Sequence, residues 1–165
     1  MIASGIPDAS LLILSNLNHV EWTQGPDLSG VDPGNPLPYH QVSRLTEMED
    51  ITNQFTSFYY PTLSGDRNQL VNIYKADSIL SWEGNQYQGV ESILEKLKAF
   101  PDGVQFKLVT KDFQMCGDKM IVLVTGQLIT EPGANPVHFS QAFTLAGNGA
   151  GGFYVANDLF RLNYG

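Results

Sequence analysis

The stretch MIVLVTGQL, residues 120–128, is nearly all apolar, with Gly126 as its break. A strand that alternates so little between apolar and polar residues is typical of one whose two faces are both covered. Residues 104–108 and 139–145 do alternate, and residues 153–162 form a further apolar-rich stretch that closes the chain. Turns rich in Gly, Pro, Asn and Asp separate these segments, which predicts four long strands joined one after another.

Helical spacing dominates the chain before these strands. Apolar residues recur every three or four positions from Met48 onward, and Pro61 predicts that this helix ends or kinks just before it, because proline lacks an N–H and clashes with the preceding turn. Two further short helices are predicted around residues 70–74 and 93–97, with a short hairpin at residues 79–88 between them. Helices followed by consecutive hairpins indicate an α+β fold with a mostly antiparallel sheet.

The apolar strand at residues 120–128 also bears on assembly. One of its faces would meet the helices, but the other needs a cover that this chain lacks. A second copy of the sheet is the simplest cover, so we predict a homodimer that pairs through the sheet.

The composition changes near residue 47. Residues 1–47 hold five of the nine prolines, five acidic residues and one basic residue, so half of the net charge of −8 lies in this segment. No periodic pattern in it runs longer than a few residues. We therefore predict a flexible, Pro-rich, acidic extension at residues 1–47 and a folded domain at residues 48–165. The alternative is a short docking segment that uses Leu11–Leu14 and Trp22.

Charge and cysteine content exclude several classes of protein. The chain has 17 acidic and 9 basic residues. Nucleic acids and anionic membranes attract basic surfaces, so neither is an expected partner, whereas a basic protein is. A single cysteine, Cys116, cannot form an internal disulfide or a cysteine-rich zinc site. The apolar run Leu11–Leu14 is too short for a secretory signal or a membrane span, and no basic residue precedes it.

The sequence contains none of the usual catalytic motifs. Patterns for metal ligands, an activated nucleophile or a phosphate-binding loop are absent, so we predict no catalytic residue, no metal and no cofactor. Of the three histidines, His19 and His40 lie in the extension and His138 at a strand start. An enzyme would require polar groups that converge inside the fold, for which Asp158 and Tyr154 are the candidates.

Two dipeptides have the composition of a binding site. Trp82-Glu83 places a large aromatic side chain beside an acid at the end of a strand. Such a pair is typical of a hot spot for a partner with a protruding aromatic residue and basic neighbours. Leu159-Phe160, on the last strand, is expected to line the same cavity.

These residues and their flanks resemble the nuclear transport factor 2 family. The resemblance runs in order from about Met48 to Gly165, and the ending FRLNY at residues 160–164 is most similar to fungal members. The segments that carry it are Phe58-Tyr59-Tyr60, Asp66-Arg67, Gln69-Leu70, Trp82-Glu83-Gly84, Gln86, Gln88-Gly89, Ile93-Leu94-Glu95-Lys96-Leu97, Gly126-Gln127-Leu128, Phe139-Ser140-Gln141 and Asn157-Asp158-Leu159-Phe160-Arg161-Leu162.

The resemblance implies a cone-shaped fold, in which a strongly bent, mostly antiparallel sheet wraps around three helices and two cones pair through their sheets. It implies a nuclear import carrier for the GDP-bound form of the small GTPase Ran. Such a carrier passes nuclear pores by touching FxFG repeats of nucleoporins. It is a homodimer of the cytoplasm and nucleus, concentrated at the nuclear pore.

The resemblance also implies which residues bind. In the family, a phenylalanine of Ran enters an apolar cavity mouth and basic Ran residues pair with acids on its rim. By position, the cavity falls to Trp82, Leu159 and Phe160, and the rim acids are Glu83 and Glu131.

The sequence departs from the family pattern in four places. The loop after residues 126–128 retains only Glu131, where the family usually has two or three acids. Pro61 falls inside a helix that usually runs through this position. Met48 takes the place of the aromatic residue that contacts FxFG repeats. Residues 1–47 have no counterpart in the family.

Two other functions remain open on the same fold. One is an adaptor subunit of an mRNA export receptor, which would heterodimerise. The other is a cavity enzyme, such as a dehydratase or an isomerase.

Overall fold

A computed structural model describes residues 39–164 of the chain as helices, strands and short connections. The predicted extension therefore lies mostly outside the described residues, with Leu11–Leu14, Trp22 and His19 among the residues not described. The elements, in chain order, are helix α1 (Tyr39–Ser64), a 3-10 helix (Arg67–Asn72), strands β1 (Ile79–Trp82) and β2 (Asn85–Gln88), helix α2 (Val90–Lys98), and strands β3 (Gln105–Cys116), β4 (Lys119–Ile129), β5 (Val137–Gly147) and β6 (Phe153–Asn163).

The six strands form one open sheet in the order β2-β1-β6-β5-β4-β3. Only β1 and β6 pair in parallel, and the other neighbours are antiparallel. The β3–β4 and β5–β6 ladders are each interrupted once, with Val109 of β3 and Ala156 of β6 as the extra residues. Such bulges bend a strand and increase its twist, which lets the sheet curve around the helices. The predicted α+β class and mostly antiparallel sheet are confirmed.

Helix α1 is longer than the sequence predicts at both ends. It begins at Tyr39, so residues 39–47, which were assigned to the extension, are helical. It also continues through Pro61 to Ser64, so the predicted end near Tyr60 is wrong. Pro61 is exposed and lies in the last turn. There its missing N–H costs one hydrogen bond, and its carbonyl still accepts from the N–H of Gly65.

The core lies between α1 and the concave face of the sheet. Phe55 and Tyr59 on α1 both pack edge-on against Phe143 of β5, with ring centroids 4.8 Å apart in each pair. Strand β4 alternates in burial, although its sequence hardly alternates in polarity. Its inward residues are buried, whereas Ile121 and Leu123 on the outer face are 38% and 42% exposed. Within one chain, therefore, only one face of β4 is covered.

Gly126 does not interrupt β4, because the strand runs through it to Ile129. A Cβ atom at this position would lie 2.5 Å from the carbonyl oxygen of Lys107 and 2.8 Å from a ring carbon of Phe139. Both distances are far inside van der Waals contact. The glycine thus allows β3 and an aromatic ring of β5 to approach the backbone of β4 closely.

Arg67 connects the 3-10 helix to the loop that follows α2. Its guanidinium and Nε are buried and donate to four main-chain carbonyls, those of Leu63, Lys98, Phe100 and Pro101, at 2.5–3.3 Å. A planar guanidinium can satisfy several acceptors at once, which a lysine cannot. Arg67 therefore fixes the segment that carries the Phe100 ring.

Candidate functional site

The predicted site residues gather at one edge of the sheet because of its topology. Strands β1, β4 and β6 all run in the same direction, since β6 is parallel to β1 and two antiparallel steps separate β4 from β6. Their C-terminal ends therefore share one edge. Trp82 ends β1 and pairs in register with Phe160 of β6. Glu83 follows β1, and Glu131 lies just beyond the end of β4.

An aromatic cluster lies on the inner side of this edge and consists of Trp82, Phe100, Phe106, Phe139 and Phe160. Trp82 stacks on Phe160 with centroids 3.9 Å apart and planes 10° apart, and Phe139 stacks on the same phenylalanine at 5.6 Å. Phe100 meets Trp82 edge-on at 5.0 Å and links to Phe106 at 6.2 Å. The sequence analysis identified only Trp82 and Phe160 in this cluster. The cluster is a continuous, mostly buried apolar layer at the edge of the sheet where Glu83 and Glu131 lie.

The surface of Trp82 is largely covered in this structure. The side chain is 6% exposed, and the Lys96 ammonium group lies 5.6 Å from its ring centroid. The same ammonium lies 5.8 Å from the ring of Tyr87. Phe100 and Lys96, which belong to a loop and to a short helix, are therefore the groups that must shift for an incoming aromatic side chain to touch Trp82.

Leu159 does not line the cavity with Phe160, contrary to the prediction. Consecutive residues of a strand point to opposite faces of the sheet. Phe160 is 1% exposed on the inner face, whereas Leu159 is 52% exposed on the outer face. Leu159 pairs with Ala142, which pairs in turn with Leu123, so these three form an apolar row across β6, β5 and β4 on the outer face.

Glu83 occupies a sharp turn between β1 and β2. The two residues of this hairpin loop, Glu83 and Gly84, both have positive φ, at 50° and 86°. This is the pattern of a type I′ turn, which favours Asn or Gly over Glu at its first position. The turn places the Glu83 carboxylate beside β6, where one oxygen accepts from the main-chain N–H of Leu162 and the other lies 3.9 Å from Nη1 of Arg161.

Glu131 is exposed in the loop between β4 and β5. Its main-chain carbonyl accepts from the N–H of Ala134, which closes a turn in this loop. The shared direction of β1 and β4 puts Glu131 at the same edge of the sheet as Glu83, as the sequence analysis expects of two rim acids.

Met48 is buried, so the predicted contact residue for FxFG repeats is not at the surface. Its side chain is only 8% exposed and packs in the hydrophobic core. The reason is that α1 begins at Tyr39, which makes Met48 an interior residue of the helix on its core-facing side. Leu45 and Val42, about one and two turns earlier, are exposed apolar residues of the described part of α1, at 41% and 46%.

A polar cluster that the sequence analysis did not predict lies inside the core. The Asp158 carboxylate accepts hydrogen bonds from the hydroxyls of Tyr59 (3.0 Å) and Tyr74 (2.8 Å) and from the amide of Gln141 (2.7 Å). Tyr60 donates to the amide oxygen of Gln141 at 3.0 Å. Each of these polar groups thus has a partner inside the protein, as buried polar groups require.

Burial dominates the titration of this cluster. It raises the pKa of Asp158 to about 6, even though the hydrogen bonds from Gln141 and the two tyrosines act to lower it. Burial, with the nearby Asp158 charge as the next cause, also raises the pKa values of Tyr59 and Tyr74 well above their usual range. The carboxylate is thus ionised near pH 7 only at a cost.

Tyr154, the predicted catalytic partner of Asp158, does not contact it. The Tyr154 hydroxyl donates to Asp77 at the surface, at 3.0 Å. Tyr59 and Tyr74 take its place beside Asp158. The alternation of β6 was the signal that could have shown Asp158 to be buried, because Asp158 lies two residues before the buried Phe160 and so faces the same side of the sheet. Tyr154 would face that side too, but a bulge between it and Asp158 interrupts the alternation.

A separate open groove of about 360 Å³ lies between α1 and β3. Its lining includes Tyr60, Pro61, Phe106 and Lys111. Tyr60 and Phe106 also contact the aromatic cluster, since Phe106 belongs to it and Tyr60 lies 5.8 Å from Phe139. The groove is therefore next to the candidate site on the helix side.

Residues 39–164 contain neither a metal-binding cluster nor a helix suited to a membrane. In that range, no three His, Cys, Asp or Glu residues are placed to hold a metal ion. No described helix combines the length and the apolar character that crossing a bilayer requires.

The fold and the site define a class. A bent, open sheet that packs over one long helix, with apolar side chains facing inward at one edge, is the architecture of the cone-shaped α+β proteins. This class includes enzymes, since a solved hexachlorocyclohexane dehydrochlorinase superposes with a TM-score of 0.58 at 16% identity, over 74% of this chain and 89% of that chain. At that identity the likeness shows the fold alone.

The sequence comparisons identify the family. The profile of the nuclear transport factor 2 (NTF2) domain matches residues 51–162. Nuclear transport factor 2 of Schizosaccharomyces pombe is 44% identical over 124 residues, which span 73% of this chain and 100% of that protein. The solved nuclear transport factor 2 of Cryptosporidium parvum has a TM-score of 0.65 at 38% identity and covers 71% of this chain and 95% of that chain. The chain belongs to the nuclear transport factor 2 family.

Family membership decides between transport and catalysis. The relatives that align with the whole domain carry the name of a transport factor, not of an enzyme. This confirms the prediction that the protein is not an enzyme and supports a role in nuclear transport. The buried polar cluster around Asp158 is accordingly a structural feature of the core.

Proposed function

We propose that this protein is a homodimeric carrier that takes the GDP-bound form of Ran into the nucleus and passes nuclear pores by contacts with FxFG nucleoporin repeats. The observation that carries the proposal is the stacked Trp82–Phe160 pair beside the Glu83 carboxylate at the edge of the sheet. Once Phe100 and Lys96 move off Trp82, this pair offers an apolar surface for an aromatic anchor beside an acid for basic neighbours, in a chain of the nuclear transport factor 2 family. The protein would act in both cytoplasm and nucleus and concentrate at the nuclear pore.

The chemistry of this edge fits a cargo with an aromatic residue flanked by positive charges. A buried aromatic anchor typically contributes about 2 kcal/mol or more to binding, and charged rim residues contribute specificity and association rate. Glu83 and Glu131 supply the charges at the edge, and the aromatic cluster supplies the apolar surface. The preference for the GDP form follows if only that nucleotide state presents the anchor, since a carrier discriminates by differential affinity.

The cargo assignment is tested by measuring binding of Ran loaded with GDP or GTP to the purified protein. We expect binding to the GDP form alone. Glu83→Lys is expected to abolish it, because the new charge repels basic cargo residues. Glu83→Asn is the matched variant that separates binding from folding, since Asn suits the positive φ of a type I′ turn better than Glu does.

We expect Glu83→Asn to fold at least as stably as the natural protein and to bind Ran–GDP at least tenfold more weakly. Near-natural affinity of either Glu83 variant would show that the acid is not part of the cargo site. Equal binding of the GDP and GTP forms would contradict the carrier function itself.

The outer face of the sheet supports the homodimer. Leu159, Leu123 and Ile121 are 52%, 42% and 38% exposed in the single chain and lie on neighbouring rows of β6 and β4. Apolar side chains grouped on a sheet face are a common sign of an interface. We expect Leu159→Glu to give a folded monomer, because two such charges would face each other across a symmetric interface.

Light scattering and circular dichroism would measure the mass and the fold of Leu159→Glu. Gln54→Glu, at an exposed position on helix α1 and away from the outer face of the sheet, adds the same single negative charge and is the control. A natural protein that is monomeric at micromolar concentration would contradict the homodimer and would favour an adaptor that needs a different partner chain.

The contact with FxFG repeats shifts along α1 in this proposal. Met48 is buried, and the exposed Val42 and Leu45 offer apolar surface near the same end of the helix. Leu45→Ser is expected to weaken binding to an FxFG-repeat peptide while Ran–GDP binding stays unchanged. Loss of both activities would instead indicate a damaged fold.

A further inference from the structure

The rim acid Glu83 already has a cationic neighbour within the chain. Nη1 of Arg161 lies 3.9 Å from one carboxylate oxygen, and the other oxygen accepts from the N–H of Leu162. The Arg161 guanidinium lies across the hairpin turn, because a Cβ atom on Gly84 would be 3.4 Å from its Nη2. The Arg161 side chain is 63% exposed, whereas that of Glu83 is 31% exposed.

We propose that Arg161 lowers the affinity of the cargo site for a basic cargo residue by lying beside the second carboxylate oxygen of Glu83. This inference rests on the proposed function, because it concerns how the same acid meets a basic cargo residue. With Leu162 on one oxygen and Arg161 beside the other, a cargo cation meets a carboxylate that is partly neutralised. It must displace the guanidinium or share the carboxylate with it.

Physical chemistry gives the direction of the effect. Two cations beside one carboxylate repel each other, so Arg161 weakens the binding of a basic cargo residue. The guanidinium is loosely held, since 3.9 Å is too long for a hydrogen bond and most of the side chain is solvated. Its displacement is therefore cheap, and the site stays usable. A cargo without a positive charge at this point does not compete with the guanidinium, so Arg161 reduces the advantage that basic cargoes have over neutral ones.

The position of the Glu83 carboxylate does not depend on Arg161. Glu83 is held in place by the turn and by the N–H of Leu162, neither of which needs the guanidinium. Removal of the Arg161 charge should therefore leave the carboxylate where it is and make it more available.

The test measures the affinity for Ran–GDP at low and at physiological salt. The proteins compared are the natural protein, the single variants Arg161→Gln, Arg161→Lys and Glu83→Asn, and the double variant Arg161→Gln/Glu83→Asn. We expect Arg161→Gln to bind about two- to fivefold more tightly, the range of an exposed ion pair, and to depend more steeply on salt. Arg161→Lys keeps the charge and should bind within about twofold of the natural protein. In the Glu83→Asn background, Arg161→Gln should give no gain.

The outcomes separate this inference from the proposed function. Natural protein that does not bind Ran–GDP overturns both, because Arg161 then has no cargo cation to exclude. If the natural protein binds and Arg161→Gln binds equally or more weakly, the inference alone is wrong. A gain that persists in the Glu83→Asn background would indicate a general charge effect and would also overturn it. Light scattering of each variant checks that the oligomeric state is unchanged.

Discussion

Replacement of the buried Asp158 by asparagine should change how the stability of this protein depends on pH. Burial raises the pKa of Asp158 from 3.8 to about 6 in the folded protein. A difference of roughly two pKa units corresponds to about 3 kcal/mol of free energy of unfolding. The ionised carboxylate therefore lowers stability by about that amount at pH values well above 6, relative to the protonated form.

The direction of this change in stability with pH follows from the number of protons that each state binds. Between the unfolded and folded pKa values, the folded state binds more protons than the unfolded state, so stability falls as pH rises through this window. The stabilisation by the protonated group is fully present below about pH 4 and is lost as pH rises through about 6. When the pH is lowered from about 7.5 to about 4.5, the natural protein should recover about 2 of these 3 kcal/mol of unfolding free energy.

Asp158→Asn removes the titration while it keeps the shape and most of the hydrogen bonds. Its Oδ1 can accept from Gln141, and its Nδ2 can donate to a tyrosine hydroxyl in place of the bond that the carboxylate accepts. The stability of the natural protein minus that of the variant should therefore rise by about 2 kcal/mol between about pH 7.5 and pH 4.5. This corresponds to a shift in urea midpoint on the order of 1 M.

Urea unfolding, followed by circular dichroism at fixed protein concentration, measures this difference. Asp112→Asn is the control, because it removes an exposed carboxylate on β3 and so gives the same change in net charge. Parallel pH profiles for the natural protein and Asp158→Asn would refute the reasoning, since they would mean that Asp158 titrates alike in the folded and unfolded states.

Two other substitutions test the packing that positions the site. Gly126→Ala should lower stability by about 2 kcal/mol or more, because its Cβ would lie 2.5 Å from a backbone oxygen that cannot move freely, whereas Gly147→Ala, with no atom within 4 Å, should change thermal stability little. Equal melting temperatures for the two variants would contradict this. Arg67→Met should cost about 3 kcal/mol, because it leaves buried carbonyls without donors, and should speed amide exchange around Phe100. Arg67→Lys should recover only part of the loss, and a fully stable Met variant would show that water replaces the guanidinium.

Local patterns predicted the strands and the second half of the fold well. The hairpin at residues 79–88 and helix α2 were found because their apolar spacing and turn residues agree with each other. Pro61 misled the prediction for α1, because a proline in the last turn of a helix removes only one hydrogen bond and the packed apolar face of the helix outweighs that loss.

The candidate site was predicted in part. Trp82, Glu83 and Phe160 are neighbours in the structure, as a strand end and a matching motif predict, and their role in binding stays a prediction. Leu159 was misplaced, although the alternation of a strand already assigns it to the face opposite Phe160. Phe100 was missed, because its place beside Trp82 depends on the loop that Arg67 holds.

The sequence by itself determined the α+β class, the four long strands, the absence of catalytic motifs and the family resemblance, because these depend on periodicity and on short segments read in order. Only the tertiary structure decided which groups meet across the chain. It joined Asp158 to Tyr59 and Tyr74, set Arg161 beside Glu83, and buried Met48. The physical reason is that strand pairing and helix packing bring together residues separated by up to 99 positions, and no local pattern records such contacts.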